Sequence, residues 1–137
     1  MRVLGLDLGS VTCGVAISDP LGMIARSVET IRFADEQNDE AIPRIKAICQ
    51  EQGVEKIVLG LPKHMNGDIG IRANIALAFK EKLESAIGLE VIMIDERMTT
   101  MAANRILLAG DVSRKKRKKV IDQMAAVQIL QSYLDRN

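Results

Sequence analysis

The order of apolar runs and helical periodicities along this 137-residue chain predicts an α/β layered domain built on one mixed sheet of five strands. Three observations carry the prediction. Three strand-like runs follow one another from Val3 to Ile31, joined by short turns, as in an antiparallel meander. Two more buried strand-like runs come later, each preceded by a segment with helical periodicity, and a long helical segment closes the chain. The expected order is βββαβαβαα, with the helices packed on the sheet.

The first strand is "RVLGLDLG", almost continuously apolar from Val3 to Leu8 and ended by Gly9-Ser10, which reads as buried on both faces. The second is Cys13 to Asp19, and the third is Met23 to Ile31, after a turn marked by Pro20 and Gly22. Between Asp39 and Gln52, Ile42, Ile45, Ile48 and Cys49 recur at helical spacing, and Gly53 stops the helix. Lys56 to Pro62 is a fourth strand. A second helix over Ile71 to Ile87 carries Ile75, Leu77, Ala78, Leu83 and Ile87 and ends at Gly88. Glu90 to Glu96 is a fifth strand, followed by a helix that Thr99 or Thr100 would cap. The last helix contains Val120, Met124, Val127, Ile129, Leu130, Tyr133 and Leu134.

Composition narrows the function classes. The chain is the size of one domain with a single core, so residues 1–137 are expected to fold as one unit. Hydrophobic residues make up 47%, which is too many for a disordered chain. Aromatic residues make up only 2%, which excludes stacking on aromatic platforms as the main mode of nucleic-acid binding. Cys13 and Cys49 form no metal-binding pattern and are expected as reduced core thiols. With no signal-peptide pattern and no run long enough to span a bilayer, a cytoplasmic protein without membrane contact is expected.

The net charge of +1 hides an asymmetry. Removing the run Arg114, Lys115, Lys116, Arg117, Lys118 and Lys119 leaves 13 basic against 18 acidic residues, a body of −5. That pattern suggests a localised anion-binding feature. Six cations at the start of a helix oppose the helix dipole, so the placement favours a phosphate-binding patch over a solvated face or a targeting signal. Contacts to backbone phosphates would give salt-dependent affinity with little base selectivity.

Three acids stand in apolar places: Asp7 inside the first strand, Glu96 at the end of the fifth, and Asp122 in the last helix. Asp122 shares its helical face with Ala125, Ala126, Ile129 and Tyr133, the side expected against the sheet. An unpaired carboxylate there would cost several kcal/mol, on the order of known ion-burial penalties. One shared divalent cation would neutralise all three, and carboxylates with water suit magnesium or manganese. Separate roles also fit: a turn cap for Asp7, an ion pair with Arg97 for Glu96, an N-cap for Asp122. Spacing leaves both readings open.

The blocks "GLDLGSVTCGVAISD", "GLPKHMNGDIGIRA", "DERMTT" and "SRKKRKKVIDQMAAVQILQSYL" together span almost the whole chain. In that order they resemble the YqgF/RuvX family, associated with Holliday junction resolution and with pre-16S rRNA processing, which has a ribonuclease H-like fold. The resemblance implies that Asp7, Glu96 and Asp122 are the family's catalytic and metal-binding acids, holding Mg²⁺ or Mn²⁺. It implies a divalent-metal-dependent nuclease for structured nucleic acid, either the 5′ end of pre-16S rRNA or, as the alternative, branched DNA. Ribosomal particles are candidate partners, and monomer or homodimer are both open.

Such chemistry needs no protein nucleophile, which fits the absence of any obvious Ser/His/Asp or Cys/His arrangement. Ser10 and Thr12 beside the "DLGS" turn could approach a phosphate. Lys63, Arg72 and Arg97 lie beside the family blocks as further phosphate contacts, and His64 reads as an exposed loop residue. Two rivals remain. "DLGS" followed by "GVA" also resembles the first phosphate loop of actin-like ATPases, but those close two such domains around ATP. A non-catalytic ribosomal-RNA-binding module would use the basic run alone.

Overall fold

A computed structural model describes residues 1–61, 70–95 and 114–136 of the chain, the side chains of 114–123 excepted. Its strands are β1 (Arg2–Leu8), β2 (Thr12–Ser18), β3 (Ala25–Arg32), β4 (Val54–Leu61) and β5 (Val91–Asp95). They form one mixed sheet in the order β3-β2-β1-β4-β5. The meander β1–β2–β3 is antiparallel, and β4 and β5 add parallel to β1 on its other side. The described helices are α1 (Ile42–Gln52), α2 (Ile71–Ile87) and α3 (Arg114–Leu134). The helix expected near Thr99 or Thr100 falls outside the described residues.

β1 lies at the centre of the sheet with both faces covered, which is why its sequence is apolar without alternation. Leu4 and Leu6 point to the face packed by Ile45 and Ile48 of α1 and Phe79 and Leu83 of α2. Val3 points the other way, into a cluster with Ala16, Val58 and Ile94 from neighbouring strands and Ala126, Ile129, Leu130 and Leu134 of α3. The result is a three-layer α/β/α arrangement. Both cysteines are buried within the first cluster as free thiols. No helix among the described residues is long and apolar enough to cross a membrane.

Two local expectations are corrected. The helix expected from Asp39 begins as a 3₁₀ turn over Asn38–Ala41 and becomes α1 only at Ile42. Pro43 explains the boundary, because proline lacks the N–H that a helix interior needs and its fixed φ suits the first turn. In α2 the fully buried residues are Ala73, Ala76, Phe79 and Leu83, while Ala78 is exposed. The inner face thus combines two small alanines with Phe79 and Leu83, and it is turned away from Ala78.

Candidate active site

Strand alternation sets the direction of Asp7. Val3, Gly5 and Asp7 fall on the α3 side of β1, and Asp7 is half-buried near the carboxyl end of the strand. Its antiparallel partner on β2 is Gly14. On the other side, Leu6 pairs with Leu59, so the next residue along β4 is Gly60. A glycine on either side puts no side chain beside this carboxylate within the sheet, and both glycines are themselves buried. No ion pair among the described residues involves Asp7. Its charge acts on the Cys13 thiol, whose pKa is raised first by complete burial and then by Asp7.

Gly5 explains how α3 reaches this strand. A Cβ there would lie 2.6 Å from the Cβ of Leu130 and 3.1 Å from the carbonyl oxygen of Ala126, so the helix rests on the bare β1 backbone. Gln131 fixes the direction of α3. Its side-chain oxygen accepts the Ala25 N–H at 2.9 Å, and its Nε2 donates to the Met23 carbonyl at 3.0 Å. Ala25 pairs with Ser18, whose hydroxyl accepts the Val3 N–H at 2.8 Å. The carboxyl-terminal part of α3 therefore lies over the beginning of β1. Toward its own start, the helix runs to the end of β1 that carries Asp7.

The spacing along the two elements matches. Position 122 is one turn before Ala126, about 6 Å along the helix, and Asp7 is two residues beyond Gly5, about 7 Å along the strand. The backbone at 122 and Asp7 thus approach one end of the same sheet face. The side chain of Asp122 lies outside the described residues. So do Glu96, Lys63, Arg97, His64, Thr99 and Thr100. β5 ends at Asp95 beside Leu61, and because β1, β4 and β5 are parallel, the described chain stops one residue before Glu96 at the same sheet end. Among the described residues no group of three metal-ligating side chains occurs, as expected when only Asp7 of the trio is among them. Arg114 to Lys119 occupy the first turns of α3, so the backbone of the basic run begins at this end too.

The rim of this end is built by the β1–β2 turn and the segment after β3. Gly9 N–H donates to the Thr12 carbonyl at 2.7 Å, closing the turn and leaving Ser10 exposed. Phe33 N–H donates to the Val11 carbonyl at 2.9 Å and Glu36 N–H to the Ser10 carbonyl at 2.8 Å, so residues 33–36 are stitched to the turn. Arg72, the second residue of α2, binds the Glu36 carboxylate at 2.6 Å. Ser10 and Arg72 are therefore brought to one rim. Glu36 had no signal in the sequence, since "FADEQ" has no periodicity and nothing local announces a partner 36 residues away.

A family profile described as "RuvX: Holliday junction resolvase" matches residues 1–136. A protein of Listeria monocytogenes serotype 4b, named "Putative pre-16S rRNA nuclease", is 57% identical over 98% of both chains. One of the same name from Geobacillus kaustophilus is 56% identical over 98% of both. Among solved structures, Thermus thermophilus RuvC in complex with a Holliday junction substrate superposes with a TM-score of 0.56, covering 99% of this chain and 96% of that one. At 16% identity that likeness speaks for the fold alone, which is the ribonuclease H-like one expected from the sequence. On the profile match and on relatives that are more than half identical over nearly their whole length, the chain belongs to the RuvX family.

Proposed function

We propose that residues 1–137 act as one metal-dependent nuclease domain that cleaves phosphodiester bonds of structured nucleic acid in the cytoplasm, with the 5′ end of pre-16S rRNA as substrate. The observation that carries the proposal is Asp7. A half-buried carboxylate with glycines on both neighbouring strands and no ion-pair partner among the described residues stands at the sheet end toward which the backbone of α3 runs at its start. The name shared by the Listeria and Geobacillus relatives supports the RNA substrate.

In this reading Asp7, Glu96 and Asp122 hold Mg²⁺ or Mn²⁺, and their all-oxygen donor set fits such hard cations. When bound, the ion supplies Lewis acidity toward the phosphoryl oxygens and acidifies water. The remaining tasks belong to the chain itself. Arg114, Lys115, Lys116, Arg117, Lys118 and Lys119 grip the sugar-phosphate backbone. Lys63, Arg97, Ser10 and Arg72 hold flanking phosphates.

The test compares the parent with Asp7→Asn on a precursor ribosomal RNA and on a four-way DNA junction, in Mn²⁺ or Mg²⁺. Asp7→Asn should lose at least about a hundredfold in cleavage, the scale for removing one essential catalytic group, while binding is retained. Equal cleavage by both proteins overturns the assignment of Asp7. The family description favours the second reading, a Holliday junction resolvase. Cleavage of the junction with the RNA left intact would establish it.

A further inference from the structure

Glu36 sits in a backbone conformation its side chain does not suit. Its φ is +61°, and it is the only non-glycine residue among the described residues with a positive φ. Glycine or asparagine would occupy that left-handed region at lower cost, so the backbone alone does not call for a glutamate. Two contacts hold the residue, and only the second uses what glutamate adds. The backbone N–H is tied to the Ser10 carbonyl of the β1–β2 turn at 2.8 Å, and the carboxylate reaches Arg72 at 2.6 Å. Arg72 in turn lies in the first turn of α2, where the positive end of the helix dipole opposes a cation. A nearby carboxylate offsets that repulsion.

We infer that Glu36 is a positioning residue: by holding Arg72 against the β1–β2 turn, it presents the guanidinium to a backbone phosphate of RNA entering at the Asp7 end of the sheet. The inference rests on the proposed nucleic-acid function and adds to it the element that orients one phosphate contact. Both partners remain partly exposed, 39% for the Arg72 side chain and 43% for Glu36, so the pair is accessible from solvent. The contact uses one terminal nitrogen of the guanidinium, and the fork carries further N–H donors for an anion. An ordinary exposed ion pair would be nearly neutral for stability and would have no bearing on RNA.

The sign of one effect separates the two. Removing an acid near an anionic ligand should tighten binding by simple electrostatics, whereas loss of a positioning residue should weaken it. The experiment measures fluorescence anisotropy of a labelled structured RNA with the full chain, without divalent metal, for the parent, Glu36→Gly, Glu36→Gln, Arg72→Gln and the double variant Glu36→Gly/Arg72→Gln. Glu36→Gly, free of the left-handed penalty, should keep the thermal midpoint within about 3 °C of the parent and still weaken binding about fivefold. Arg72→Gln should weaken it at least as much, the double variant no more than Arg72→Gln alone, and Glu36→Gln, which keeps an acceptor for Arg72, less than Glu36→Gly. Tighter or unchanged binding by Glu36→Gly, or weakening factors that multiply in the double variant, would overturn the inference. Metal-free binding leaves this test independent of Asp7: full cleavage by Asp7→Asn would remove the catalytic assignment and leave these ratios untouched.

Discussion

At Gly5 the missing side chain is a structural requirement, because Leu130 and the Ala126 carbonyl already occupy the space a methyl group would fill. Gly5→Ala should push α3 off β1 and cost about 1–3 kcal/mol of stability, as overpacking of a close contact does. Denaturant unfolding would measure it, and an unchanged midpoint would mean the helix is not seated as described. Because the same helix carries position 122, cleavage measured well below the unfolding midpoint should fall as well. Asp7 teaches a related lesson. Its oddity was legible from the apolar run around it, but the absence of side chains beside it depends on Gly14 and Gly60, which only strand pairing makes its neighbours.

Among the elements, α3 combines two functions that pull against each other. Its buried half, from Ala125 to Leu134, holds the sheet, while its first turns carry six cations at the wrong end of a helix dipole. Replacing Arg117, Lys118 and Lys119 together with alanine should therefore raise thermal stability in the absence of nucleic acid. The same change should reduce the slope of log K against log salt by about 0.7–0.9 for each phosphate that is no longer neutralised. An unchanged slope would take the basic run out of recognition. α2 has the bounds expected from the sequence, and its carboxyl end was legible because Gly88 adopts the left-handed conformation that ends a helix. Its buried face was legible only in part: Leu83 is buried as expected, but Ala73 and Ala76 carry too little hydrophobicity to mark a face by periodicity.

Across the whole molecule, the sheet order gathers the ends of β1, β4 and β5, the β1–β2 turn and the start of α3 on one side. An acidic body with one basic segment at that side would steer a polyanion toward it. If the acids there hold metal, Mn²⁺ should stabilise the parent by about 2.7 kcal/mol at a hundredfold excess over its dissociation constant. Asp122→Asn should gain much less in the same thermal titration. Equal gains would favour a ribosomal-RNA-binding module without catalysis.

By itself the sequence determined the five strands, the α/β layering and the identity of the odd acids, because burial on both faces and helical spacing leave local traces in residue type. It also marked the basic run, and through four ordered blocks it pointed to the family. The tertiary structure alone decided the register that sets Gly60 of β4 and Gly14 of β2 beside Asp7. It alone supplied the contacts that hold the direction of α3, Gln131 reaching Met23 and Ala25 more than 100 residues away. And it alone joined Glu36 to Arg72 across the rim. The physical reason is common to all three: these juxtapositions are long-range contacts whose energy comes from packing and pairing, and no single segment carries their pattern.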